Sequence, residues 1–90
     1  MRKIKIKKED YDDLLETGQF YLLNKNYEKA IEIFKKVLEI KKDYLTYYQL
    51  GVAYEGLNQI DKAKEMYRKS LELKPDFKEA NERLDKLVKE

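Results

Sequence analysis

The 90-residue chain contains no cysteine, no histidine and no tryptophan, only one proline, and three glycines that stand apart from one another. Without cysteine there is no disulfide framework and no thiolate metal site. Without histidine there is no imidazole ligand, no His general base and no Ser-His or Cys-His nucleophilic pair. Isolated glycines cannot form a phosphate-cradling loop. The remaining hydroxyls, Ser70, Thr17, Thr46 and the tyrosines, have no ordinary base beside them. The neighbouring carboxylates Asp12 and Asp13 read as the solvated start of a helix, not as an acid–base pair. The expectation is a non-enzymatic protein with no catalytic residue, no metal and no cofactor. No stretch approaches the roughly 18 apolar residues of a membrane span, and Met1 to Lys8 lacks the apolar core of a signal peptide. A soluble, cytoplasmic protein without membrane contact is expected.

Charged residues make up 42% of the chain and hydrophobic ones another 42%, the balance of amphipathic helices, so the expected fold is all-α. The length suits one domain. Twenty cations against 18 acids leave a net charge of +2, too small for the field of the whole domain to hold nucleic acid or a membrane. The charges are unevenly placed, however. Residues 2–8 carry five cations and no acid, whereas Glu9, Asp10, Asp12, Asp13 and Glu16 follow at once, where a helix dipole favours them.

Sliding the sequence on itself by 33 residues superposes Tyr11 on Tyr44, Gly18 on Gly51, Tyr21 on Tyr54, Ala30 on Ala63, Leu38 on Leu71 and Asp43 on Asp76. Phe34 with Tyr67 and Ile40 with Leu73 are conservative pairs. A period of this length signals stacked supersecondary units. Each unit reads as two helices. Asp10 is expected to cap a helix through about Leu23, and Asn26 a second from Tyr27 to about Lys41. In the second unit Asp43 caps a helix to about Glu55, Gly56 to Gln59 form the turn, and a helix from about Ile60 to Lys74 stops at Pro75. A fifth helix follows, with Asp76 and Glu79 at capping-box spacing and an apolar stripe of Phe77, Ala80, Leu84, Leu87 and Val88.

The second unit contains Tyr47-x2-Leu50-Gly51-x2-Tyr54, then Ala63-x3-Tyr67, then Pro75, and resembles the tetratricopeptide repeat with an aromatic in place of the usual Trp. The first unit, with Leu14-x2-Thr17-Gly18-x2-Tyr21 and Ala30-x3-Phe34, is similar but looser. It has Lys42 in place of Pro and is one residue shorter than the usual repeat. The resemblance implies antiparallel helix pairs stacked into a short right-handed α-solenoid. The chain then divides into a basic lead-in (1–10), two repeats (11–43 and 44–77) and the rest of a capping helix (78–90). The motif residues are assigned to packing: Gly18, Gly51, Ala30 and Ala63 where the helices of a unit come closest, and Tyr21, Tyr54, Phe34 and Tyr67 between units.

In the family this chain resembles, the first helix of each unit lines a concave surface that holds peptide or helical segments of partner proteins. By position, that places Leu15, Gln19, Leu22 and Leu23 from the first unit and Leu45, Tyr48, Val52 and Glu55 from the second in such a groove. A carboxylate clamp is disfavoured, because Leu15, Gln19, Gln49 and Val52 stand where its polar groups belong. Lys78, Arg83 and Lys86 are then cations without support. The expected function is a scaffold that binds a protein or peptide partner, with structural self-assembly through the same apolar surface as the alternative; the uncapped first helix is a further candidate for self-association. A third reading is weak polyanion binding by the basic lead-in. Its Lys-Ile-Lys-Ile-Lys run has a two-residue period that places Ile4 and Ile6 on one side of an extended strand. That strand is suited to a groove of its own or a neighbouring chain, or to an acidic surface. It lacks the interleaved aromatics that stack on bases, which argues against nucleic acid.

Overall fold

A computed structural model describes residues 8–89, which form five helices and, among the described residues, no strand. The helices are α1 (Lys8–Leu23), α2 (Tyr27–Ile40), α3 (Tyr44–Gly56), α4 (Ile60–Leu73) and α5 (Lys78–Val88). Each packs against the next, α1 also touches α3, and the arrangement is an all-α repeat stack. The readings of residues 1–7, including the extended lead-in, lie outside the described residues.

The turns inside the two units are closed in the same way. Lys25 and Asn58 take left-handed backbone angles (φ 61° and 60°). In each unit the next N–H reaches back to the third-last helical residue, Asn26 to the Tyr21 carbonyl at 2.8 Å and Gln59 to that of Tyr54 at 2.9 Å. This six-to-one closure satisfies carbonyls that a helix end leaves orphaned. Asn26 then caps α2 by accepting from the Lys29 N–H, and Asp43 caps α3 by accepting from Thr46 N–H at 2.8 Å. The connection between units takes three residues, 41–43, while the one after α4 takes four, 74–77, and contains Pro75. This difference accounts for the one-residue deficit of the first unit.

Two caps differ from the sequence expectation. α1 begins at Lys8, so Asp10 lies inside its first turn, and the helix takes up the last three residues of the expected lead-in. α5 is not closed by an Asp76–Glu79 box. Phe77 occupies the cap position without a side-chain bond, Asp76 pairs with Lys74 at 3.7 Å, and Asn81 Nδ2 donates to the Pro75 carbonyl at 3.1 Å. Phe77 is drawn inward by the rings of Tyr44 and Tyr48, at 4.9 and 5.1 Å between centroids, and that contact fixes where the helix starts.

The core follows the stripes on α2 and α4. Ala30, Ile31, Phe34 and Val37 from α2 and Ala63, Tyr67 and Ser70 from α4 are buried with Leu50, Gly51, Ala53 and Tyr54 of α3. A Cβ added to Gly18 would stand 2.6 Å from the Phe34 ring, and one on Gly51 would stand 2.6 Å from the Tyr67 ring. Phe34 and Tyr67 therefore wedge between the two helices of their own unit. Gly56 serves the space between units: its missing side chain makes room for the Tyr27 ring from the start of α2. The two buried hydroxyls are also accounted for. Ser70 donates to the Tyr44 carbonyl at 2.7 Å, and Thr46 bonds Asp43 at 3.1 Å.

Two predictions follow from this packing. The Tyr67 ring is fully buried and its hydroxyl donates to Glu55 at 2.6 Å, so it cannot yield, whereas half-buried Tyr27 can swing aside. Gly51→Ala should overpack by about 1–3 kcal/mol despite the roughly 1 kcal/mol gain in helix propensity, while Gly56→Ala should be nearly neutral. Equal melting temperatures for the two variants would contradict this assignment. The second prediction concerns alkaline pH. Burial, then the bond to Asp43, pushes the Tyr11 phenol up to about 12, and burial followed by the Glu55 bond drives Tyr67 higher still. A phenol kept neutral by the fold contributes its full stability below the unfolded value near 10. It loses that contribution as pH rises further, because the unfolded chain releases its proton first. Urea midpoints should be level up to about pH 9.5 and fall above pH 10, and Tyr67→Phe should remove part of that fall.

Candidate functional site

α1 and α3 are the first helices of the two units and touch along one side of the stack. Gln19 on α1 donates through Nε2 to Oε1 of Gln49 on α3 at 3.4 Å. The residues assigned to this face by position, Leu15, Gln19, Leu22, Leu45, Tyr48, Val52 and Glu55, are all half-buried. Leu15, Leu22, Tyr48 and Val52 lean on the core with one side. Leu23, one step further along α1, is 84% exposed.

Tyr48 and Glu55 are engaged by α5. The Tyr48 ring lies 5.8 Å from that of Tyr67 and meets Phe77 edge-on, and its hydroxyl accepts from Arg83 Nε at 3.1 Å. Arg83 also lies over the Tyr48 ring at 5.9 Å and reaches Glu55 Oε1 at 3.4 Å, the oxygen that accepts from Tyr67. Arg83 is thus a supported cation, contrary to the sequence expectation, and Lys78 pairs with Glu82 at 3.8 Å. The sequence signal for Arg83 was its place three residues after Ala80 and beside Leu84, on the edge of the apolar stripe. There its aliphatic stem covers apolar surface and its head stays in reach of a carboxylate. Beyond this lock lies a polar cleft of about 280 Å³ lined by Glu55, Glu82, Arg83 and Lys86.

A second cleft of about 480 Å³, lined by Tyr11, Asp12, Ile40 and Lys41, lies where α1 starts and α2 ends, with the Lys41 ammonium 5.7 Å from the Tyr11 ring centre. Lys74 over Tyr44 at 5.3 Å is the same contact one repeat later. Of the hydroxyls weighed as nucleophiles, that of Ser70 is buried on a carbonyl, that of Thr17 donates to the Asp13 carbonyl at 2.8 Å and that of Thr46 bonds Asp43. Among the described residues no helix is long and apolar enough to cross a membrane.

The repeat register exposes what is unusual about α1. Leu50, Ala53 and Tyr54 are buried because α2 stacks on them. Their counterparts 33 residues earlier are Thr17 and Phe20, both exposed, and half-buried Tyr21. Nothing among the described residues packs upstream of α1, so the same motif position is core in one unit and surface in the other.

The chain matches none of the curated proteins compared with it. A family model described as tetratricopeptide repeat matches residues 13–76, from the second turn of α1 to the connection after α4. The match spans both helix pairs and the glycine–ring contacts inside each. Tetratricopeptide repeats are generally protein–protein interaction modules, and the chain belongs to the tetratricopeptide repeat family.

Proposed function

We propose that this chain is a non-enzymatic adaptor that docks a short segment of another protein along the α1–α3 face. The supporting observation is the composition of that face. Leu15, Leu22, Leu45 and Val52 are apolar yet only half-buried, and they flank the Gln19–Gln49 bond on two adjacent helices. Apolar side chains left half in water on adjacent helices, with charge at their rim, mark an interaction surface. The Arg83 lock places Tyr48 and Glu55 in the structural framework that holds α5, so the contact surface is centred on the α1 half and on Val52.

Val52→Glu is the informative substitution, because Tyr48→Glu would also dismantle the contacts with Phe77 and Arg83. In affinity capture from the native extract, Val52→Glu should lose the partner while its circular dichroism spectrum at the capture temperature stays that of the folded chain. Undiminished capture would remove this face as the site.

A second reading, self-association through the outer face of α1, is favoured by Phe20, which is 61% exposed at the position where Ala53 is buried by a stacked helix. If that face pairs with a second copy, Phe20→Lys should lower the mass measured by sedimentation at high protein concentration. A monomer at every concentration would eliminate this reading.

A further inference from the structure

The Gln19–Gln49 bond leaves much of both amides unused. A primary amide offers two donors and two lone pairs, and among the described residues neither side chain bonds any other protein group. Whichever way the two amides are turned, one residue keeps a free carbonyl oxygen and the other a free NH2. A segment covering Leu15, Leu22 and Val52 strips water from these groups and must replace its bonds. The middle of a helix cannot do so with its main chain, whose N–H and C=O groups are already paired, whereas an extended segment presents both along its edge. Along α1, Asp12, Glu16, Gln19 and Leu23 follow one another at helical spacing on one face, with Asp12 and Glu16 exposed. The complementary ligand is therefore extended, carries apolar side chains two residues apart, and is cationic.

Arg2 to Lys8 has that pattern, with Ile4 and Ile6 between Lys3, Lys5 and Lys7. We propose, building on the adaptor reading of the α1–α3 face, that this face receives the N-terminal segment of a second copy of the chain. In this arrangement one peptide group is held by Gln19 and Gln49, and the lysines lie near Asp12 and Glu16. With Ile4 and Ile6 on either side of the glutamine pair, against the apolar residues that flank it, reach selects a second copy over the same chain. Ile4 can extend at most about 14 Å back from Lys8, whereas Gln19 stands about 16 Å along α1 from the same point, before any turn is made.

The test is sedimentation of the full chain over a wide concentration range, with three variants. The original chain should associate, and rising salt should weaken the association. Ile4→Glu/Ile6→Glu, which removes the apolar side of the segment, and Val52→Glu, which spoils the groove, should each be monomeric. Mixing those two should restore a complex, since one supplies an intact groove and the other an intact segment. Gln19→Leu/Gln49→Leu should raise the dissociation constant about tenfold at an unchanged melting temperature. A chain that is monomeric throughout would overturn this inference, as would an Ile4→Glu/Ile6→Glu variant that still associates, a mixture that stays monomeric, or an unaffected glutamine variant. The adaptor reading would then stand or fall separately, on partner capture by Val52→Glu.

Discussion

Each repeat is held shut by an aromatic ring lying where a glycine has no side chain. Phe34 over Gly18 and Tyr67 over Gly51 bring the two helices of a unit within a ring's thickness of each other. A Cβ at either glycine would meet ring atoms with no room to retreat, so the interhelix distance is set by the absence of one carbon. With that distance fixed, Ala30 and Ala63 reach full burial, and the left-handed residues Lys25 and Asn58 turn the chain within three residues. The spacing is the same in both units, which allows the second pair to stack on the first.

A stack of two pairs has two ends, and this chain treats them differently. At the C-terminal end α5 lays Phe77 against Tyr44 and Tyr48 and ties Arg83 to Tyr48 and Glu55. Its outer residues, among them Glu82, Asp85, Lys86 and Lys89, are exposed and charged, as a terminal helix of a solenoid requires. At the N-terminal end α1 has Asp13 and Thr17 on its outer face but also Phe20, largely in water. The ion pair at Glu55 carries weight because the same oxygen also orders the buried Tyr67 hydroxyl.

The helices and the register were legible in the sequence because each depends on local features: a 33-residue repeat, apolar side chains at helical spacing, Asn26 and Asp43 where caps belong, and Pro75. The two misread caps show where local reasoning stops. Asp76 has the chemistry of a cap, yet Phe77 takes the position because two rings in α3 attract it, an interaction between residues some thirty positions apart in the chain. Tyr67 and Phe34 were recognised as packing residues, but the side on which they pack depends on where each ring is pressed in three dimensions. The same limit applied to the candidate site. The seven positions could be placed on the first helices of the units, but the engagement of Tyr48 and Glu55 by Arg83 could not be read from spacing alone.

The sequence by itself determined that the chain is helical, repeated and without histidine or cysteine, since these follow from composition and from periods of 3.6 and 33 residues. Only the tertiary structure decided which equivalent residues are core and which are surface. Leu50, Ala53 and Tyr54 are buried while Thr17, Phe20 and Tyr21 are wholly or partly exposed, although the two sets hold the same places in the repeat. Burial depends on whether a neighbour is stacked alongside, and a helix cannot specify from its own residues whether one is there.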